Sequence, residues 1–245
     1  MSVSLDGVLV KKGNQQETFT REQLEDFAAC AHPKTGPFYF LKNYFNIQHP
    51  VKGKLLYKAY DYQIKLLHTY HNHRFNINML PRQTGKTTTA AGYLLWRAMF
   101  VPDSIILIAA HKYAGAQEIM QRIRYAYELC PNHIRAGVTS YNKGSIEFDN
   151  GSRIIAQATT ENTGRGLSIS LLYSDEFAFV RPSIAKEFWT SISPTLATGG
   201  SAIITSTPNS DEDQFALLWR DANKCFDAHG NETEIGINGF KAYRS

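Results

Sequence analysis

The run Pro81-Arg82-Gln83-Thr84-Gly85-Lys86-Thr87-Thr88 joins one glycine, one lysine and three hydroxyls. It lies between a short apolar segment, Phe75 to Leu80, and a segment of helical spacing, Gly85 to Phe100. That context suits a loop that binds phosphate. Gly85 lets backbone N–H groups approach an anion, and a helix starting there points the positive end of its dipole at it. Lys86 would reach β- and γ-phosphates as a point charge, and Thr87 would offer its hydroxyl to Mg2+. The general pattern G-x-x-x-x-G-K-[ST] is broken at its first glycine, which falls at Leu80. A bare Gly-Lys-Thr is common by chance, so its weight comes from the strand before it and the helix after it.

Two further groups of residues have chemistry that would complement such a loop. Leu171 to Ser174 is an apolar strand that ends in adjacent acids, Asp175 and Glu176. An Asp at the end of a strand beside a phosphate loop helps hold Mg2+, and a Glu next to it can polarise an attacking water. Ile203 to Asn209 is a second apolar strand, ending in Ser206, Thr207 and Asn209. Small hydroxyl and amide groups at the carboxyl end of a parallel strand lie at the mouth of a nucleotide crevice, where they can sense a γ-phosphate. Taken singly, the two groups read as an acidic turn and a Pro-Asn turn. Their order behind the loop makes the functional reading.

The elements that must position these residues follow from apolar periodicity. Helices are expected over Leu55 to Tyr70 (Leu56, Tyr60, Ile64, Leu67), Gly85 to Phe100 and Ala114 to Leu129. Further helices are expected over Ala185 to Leu196, limited to the residues before Pro194, and over Asp213 to Ala222. Strands are expected at Ser104 to Ala110, Leu171 to Ser174 and Ser201 to Ser206. Ser145 to Phe148 and Arg153 to Ala158 flank Asp149-Asn150-Gly151, a strong hairpin signal. Strand and helix alternate from residue 75 to 222, which predicts an α/β fold with a mostly parallel central sheet. Ahead of it, Phe38, Tyr39, Phe40, Tyr44 and Phe45 read as the core of a small N-terminal subdomain. Trp96 and Trp189 read as core residues as well. His68, His71 and His73 have no cysteine near them and too few partners for a zinc site, which needs about four ligands.

Composition narrows the class. The chain has 245 residues, 43% hydrophobic and 20% charged, which excludes disorder, collagen and coiled coil. Its apolar stretches, such as Ile105 to Ala110, fall far short of the ~20 residues of a membrane span. Met1 to Leu5 show no basic segment leading into an apolar one, so no secretory leader is expected. Three widely spaced cysteines, Cys30, Cys130 and Cys225, suit reduced thiols inside a cell. The net charge is +4, and residues 1–100 hold 13 Lys/Arg against 6 Asp/Glu. That bias is compatible with a polyanionic partner and equally with a solvated face.

Pro81 to Thr88, Tyr173 to Phe179 and Thr205 to Asn209, in that order, resemble the ATPase domain of the large terminase subunit, the DNA-packaging motor of tailed bacteriophages. In that family the loop typically replaces its first glycine and carries Arg-Gln before Gly-Lys-Thr, so Leu80 becomes a family feature. The resemblance covers roughly residues 36 to 222. Asp61-Tyr62-Gln63 resembles the family's adenine-recognition segment, and Gly164-Arg165-Gly166 a recurring Arg-Gly. The resemblance implies a phosphate-loop NTPase of RecA-like, catalytic-Glu class. Residues 1–54 would form a subdomain or lid, 55–222 the ATPase core, and 223–245 a segment leading to a nuclease domain absent here.

The same resemblance implies roles. ATP with Mg2+ would sit on Pro81, Arg82, Gln83, Thr84, Gly85, Lys86, Thr87 and Thr88, with Tyr62 and Gln63 on adenine. Thr87 and Asp175 would hold the metal, and Glu176 would orient water. Lys86 and an arginine would neutralise developing charge. Arg82 matches the arginine that acts in cis and Arg165 one that some relatives supply to a neighbouring subunit; the sequence leaves both open. Ser206, Thr207 and Asn209 match the motif that couples hydrolysis to DNA movement. The implied partners are double-stranded DNA held without sequence reading, the portal protein and procapsid, the small terminase subunit, and further copies in a ring on the portal. No membrane partner is implied, and the implied location is the host cytoplasm. No nuclease activity is expected, because Asp211, Glu212 and Asp213 suit a helix start rather than a strand-borne metal site. Two alternatives stand beside this reading. A helicase-type ATPase would need a second α/β domain, which the residues after Asn209 cannot form. A nucleotide-binding assembly switch without turnover sits poorly with intact Lys86, Thr87, Asp175 and Glu176.

Overall fold

A computed structural model describes residues 2–3 and 9–245. The chain begins with β1 (Ser2–Val3), β2 (Leu9–Val10), α1 (Arg21–Ala31), α2 (Gly36–Asn43), β3 (Asn46–His49), β4 (Gly53–Leu56) and α3 (Asp61–Asn72). It continues through β5 (Phe75–Met79), α4 (Lys86–Phe100), β6 (Ile105–Ala110), α5 (Tyr113–Leu129), β7 (Val138–Tyr141), β8 (Ser145–Phe148) and β9 (Arg153–Ala158). Last come β10 (Leu171–Asp175), a 3-10 turn (Phe177–Phe179), α6 (Pro182–Leu196), β11 (Ser201–Ser206), α7 (Gln214–Ala222) and β12 (Lys241–Arg244). Among the described residues no helix is long and apolar enough to cross a membrane. The chain divides into two compact units.

One unit comprises Asp61–Lys86, Ile106–Ala116 and Ala156–Ser245. Its strands lie in the order β12-β5-β11-β10-β6, and all four pairings are parallel. The register sets Met79 opposite Ser206, and Thr205 opposite Asp175. The phosphate-loop candidate, the acidic pair and the hydroxyl-rich motif therefore leave the carboxyl ends of three adjacent strands at one level. Every residue of β10 is buried, as expected of a central strand in a parallel sheet. Asp213 caps α7 by accepting from Ala216 N at 2.8 Å, so the acidic run starts a helix as expected.

The other unit comprises Met1–Tyr60, Thr87–Ile105 and Gln117–Ile155. Thr20 and Gln23 close a capping box on α1. Phe40 and Phe45 are buried and pack as core, whereas Phe38, Tyr39 and Tyr44 of the same patch are half-buried. Trp96 on α4 is 2% exposed, and its Nε1 donates to Cys30 O at 2.8 Å, tying α1 to the helix that follows the candidate loop. The Asn-Gly turn joins antiparallel β8 and β9 as expected.

Three expectations are corrected. Helical spacing over Leu55 to Tyr70 predicts one helix, but Leu55 and Leu56 pair with Ile47 and Asn46 in the β3–β4 hairpin. The helix starts only at Asp61, an acid in its first turn. Leu56, at a helical interval from Tyr60, also satisfies a strand when a partner lies beside it. Pro194 does not end α6, which runs on to Leu196. A proline in a last turn forfeits one backbone bond, and the turn closes around it through Ala197 N to Pro194 O at 3.1 Å. Trp189 is only half-buried and packs on Phe240 at 5.6 Å between ring centroids.

Replacing Trp96 by Phe removes the donor to Cys30 O and part of a buried ring. We expect a loss of about 1–3 kcal/mol in unfolding free energy, read from the urea midpoint at unchanged slope.

Candidate functional site

The loop after β5 is held open by unusual backbone angles and by its neighbours. Leu80 is buried and its N–H donates to Ser206 O at 3.2 Å, fixing the loop's entry to β11. Gln83 and Gly85 both have positive φ, 61° and 70°. A Cβ on Gly85 would lie 2.6 Å from Gln63 Nε2, so this position needs glycine for conformation and for space. Tyr62 Oη and Gln63 Nε2 each donate to Thr84 O at 2.9 Å. Thr84 Oγ1 returns to Pro81 O at 3.0 Å. The two residues expected at adenine thus also brace the loop itself.

At the end of the loop Lys86 is buried, and its Nζ meets Glu176 Oε1 at 2.6 Å. The other oxygen of Glu176 accepts from Thr207 N at 3.2 Å and from Thr207 Oγ1 at 3.1 Å. Burial acts to raise the pKa of Glu176, but the hydrogen bond and charge of Lys86, together with Thr207, outweigh it and hold the carboxylate below its ordinary value. The residue itself is left-handed, at φ 50° and ψ 44°, and starts the 3-10 turn. Ser206 Oγ donates to Thr207 O at 2.7 Å and accepts from Ala178 N at 3.2 Å. Asn209 Nδ2 donates to Ala178 O at 3.2 Å. Lys86, Glu176, Ser206, Thr207 and Asn209 form one connected network.

Asp175 lies beside this network at the end of β10. Burial, then the charge of Glu176, pushes its carboxyl up to about 6, against the opposing pull of Lys86. Tyr173, fully buried, donates from its hydroxyl to Asp175 Oδ1 at 3.3 Å. Sequence reasoning missed this contact, although two residues apart on a strand means one face of the sheet. Asp175 and the hydroxyl of Thr87, second residue of α4, are oxygen donors of the kind Mg2+ prefers. In the other unit Thr88 Oγ1 accepts from Arg122 Nη1 at 3.0 Å. No local signal marks Arg122 beyond its i,i+4 partner Glu118 at 2.6 Å.

The two candidate arginines stand apart from this network. Arg82 is exposed, and its side chain has no hydrogen bond or ion pair among the described residues. Arg165 is also exposed, in a loop pinned by Thr163 Oγ1 to Ala158 O at 2.6 Å and by Gly164 N to Gln157 Oε1 at 3.0 Å. It lines an open groove with Ser183, Lys186 and Thr190 of α6.

Solved structures share this architecture. The large terminase ATPase domain of Thermus phage P74-26 is 20% identical, with 77% of this chain and 81% of that one covered at a TM-score of 0.58. The large terminase of bacteriophage HK97 is 19% identical at a TM-score of 0.64, with 84% of this chain covered but only 42% of that one. The large terminase of thermophilic bacteriophage D6E, in complex with ATP-gamma-S, is 12% identical at a TM-score of 0.52, covering 75% and 44%. At these identities the likeness establishes the fold, an α/β phosphate-loop architecture of RecA-like type with a mostly parallel sheet. Residues 77–234 match the family described as terminase large subunit, T4likevirus-type, N-terminal, and the chain belongs to that family.

Proposed function

We propose that this chain binds and hydrolyses ATP with Mg2+ and that the hydrolysis drives double-stranded DNA into a viral procapsid. The observation that carries the reading is the network joining Lys86 to Glu176 and Glu176 to Thr207. In it the cation that would hold phosphate, the carboxylate that would orient water and the motif that would report the outcome are already in contact. Family membership supports the motor role. The solved relative with ATP-gamma-S supports the nucleotide. Residues 55–222 would be the ATPase core, 1–54 its N-terminal subdomain, and 223–245 the lead into a further domain. The portal, the small terminase subunit and further copies of the chain in a ring belong to the same proposal, as does the host cytoplasm.

The chemistry follows from the charges. Pro81 to Thr88 would cradle the phosphates, with Tyr62 and Gln63 bracing the loop and facing adenine. A divalent cation supplies charge neutralisation between phosphate oxygens, and Thr87 and Asp175 are the residues that would hold it. When ATP enters, Lys86 trades Glu176 for the β/γ-phosphates. Oε1 of Glu176 is then free to orient the attacking water, while Thr207 keeps Oε2 in place. Departure of the γ-phosphate returns Lys86 to Glu176. The change passes along Thr207 and Asn209 to the 3-10 turn. Lys86 and an arginine stabilise the charge that develops; an arginine finger contributes ~10³–10⁵ in rate. The exposure of Arg82 and Arg165 suits a group delivered on assembly or on nucleotide binding.

Three outcomes are expected. Replacing Glu176 by Gln lowers steady-state phosphate release by about 10² or more while a fluorescent ATP analogue still binds; unchanged turnover removes Glu176 as the base. Thr207→Val keeps the backbone donor and loses the hydroxyl, so kcat falls by about fivefold with nucleotide affinity nearly unchanged. Arg82→Ala and Arg165→Ala, assayed alone and mixed with a Glu176→Gln chain, separate the two arginines. Activity restored by mixing identifies an arginine that acts on a neighbouring subunit, and activity lost in both settings identifies one that acts within its own.

A further inference from the structure

Between Asp26 and Asp61 the chain has no acidic residue and carries five lysines, Lys34, Lys42, Lys52, Lys54 and Lys58. None of the five has an ion pair among the described residues. This stretch supplies most of the basic excess of the first hundred residues. Its centre is the β3–β4 hairpin, a two-stranded sheet of its own.

The hairpin tip is rigid and bare. Gln48 pairs with Lys54, and His49 with Gly53, around the turn Pro50-Val51-Lys52. Pro50 fixes one φ, and Gly53, at φ 67°, supplies the left-handed residue that closes a three-residue hairpin loop. The Nδ1 of His49 accepts from both Val51 N and Lys52 N at 3.1 Å. On this braced turn Val51 is 87% exposed, and Lys52 and Lys54 are exposed beside it. Lysine on a short edge strand protects against edge pairing, which accounts for Lys54. It does not account for a braced turn with an exposed valine, or for the absence of acid over the helix and the loops on either side.

We propose that the β3–β4 hairpin contacts the phosphate backbone of duplex DNA, with Lys52 and Lys54 as the phosphate ligands. This rests on the DNA-translocation reading above. A lysine ammonium is a point charge with three donors, which suits phosphate contacts that carry no sequence information. Lys52 on the turn and Lys54 on β4 are separated only by Gly53, so both can engage one stretch of backbone. The cavity of about 190 Å³ that Asn46, Ile47 and Gln48 line contains one carboxylate, Glu118, and Arg122 already neutralises it. Val51 at the tip and a partly exposed Leu56 at the far end of β4 are too little apolar area to hold a lipid surface.

The test is the salt dependence of binding to a labelled duplex of about 30 base pairs, by fluorescence anisotropy between about 50 and 200 mM salt. Each lost phosphate contact lowers the slope of log K against log salt by about 0.9. The double variant Lys52→Gln/Lys54→Gln should therefore lower the slope by about 2 and weaken binding about tenfold on every duplex sequence. ATP turnover without DNA should be unchanged, which shows the variant folded. Lys143→Gln/Lys186→Gln removes the same charge elsewhere and should leave the slope near that of the wild type. An unaltered slope in the hairpin variant overturns the assignment and leaves the DNA reading standing, as does an equal fall in the charge-matched control. Wild-type protein that hydrolyses ATP yet binds no duplex overturns both. Stronger hairpin-dependent binding to phosphatidylserine vesicles than to duplex overturns the assignment in favour of a lipid partner.

Discussion

Lys86 and Glu176 can meet at 2.6 Å because β5, β11 and β10 are adjacent, parallel and level at their carboxyl ends. Lys86 opens the helix after β5, and Glu176 follows the last residue of β10. With β11 between them, its first residues beyond the strand bring both donors of Thr207 to the same carboxylate. Side chains alternate across a strand, so a slip of one residue in β10 or β11 would send Asp175 or Thr205 to the opposite face. Burial enforces the register. Ile77, Leu172, Ile204 and their neighbours are fully enclosed, and a slipped strand would place polar groups among them without partners.

The same region holds the backbone conformations that cost most. Glu176 and Gln83 are non-glycine residues at φ 50° and 61°, each costing roughly 1–2 kcal/mol. At Glu176 the compensation is visible. Its left-handed turn brings the carboxylate back over the strand ends, where Lys86 and Thr207 receive it. The turn is closed behind it by Phe179 N to Glu176 O at 3.0 Å, with Phe177 buried below. An extended residue there would continue the line of β10 and carry the carboxylate away from Lys86. Strain at this point is what converts an acidic pair at a strand end into two carboxylates with different surroundings. One is buried and raised toward neutrality, the other is ion-paired and kept charged.

Much of this was legible in the residues. The apolar runs before Gly85, before Asp175 and before Ser206 each had strand length, and alternation with helices required parallel pairing. Asn150-Gly151 announced its hairpin because the turn needs a left-handed residue, which Gly151 supplies at φ 85°. What was not legible depended on partners remote in sequence. Leu55 and Leu56 look helical until Ile47 and Asn46 are known to lie beside them. No strand is expected within residues 223–245, and Lys241 to Arg244 form one as the parallel partner of β5. At the site, Thr88 was expected to meet phosphate, and its contact with Arg122 is invisible without the packing of α5. Tyr62 and Gln63 were recognised by resemblance as adenine contacts, whereas their hydrogen bonds to Thr84 O give them a mechanical part in shaping the loop.

Charge balance at the site has a consequence for the proposed chemistry. Asp175 and Glu176 bring two carboxylates to a region where Lys86 pairs with Glu176 and acts on Asp175 through its charge. That arrangement is close to balanced while Asp175 is partly protonated near pH 6. A nucleoside triphosphate adds several negative charges and draws Lys86 away, so both carboxylates would be left facing polyphosphate without compensation. On the proposed reading a divalent cation held by Asp175 would relieve that carboxylate without replacing Lys86 beside Glu176. On the same reading the remaining positive charge would come from an arginine outside this network. Arg82 and Arg165 are both held clear of it, so on this reading substrate binding and the delivery of an arginine are coupled steps.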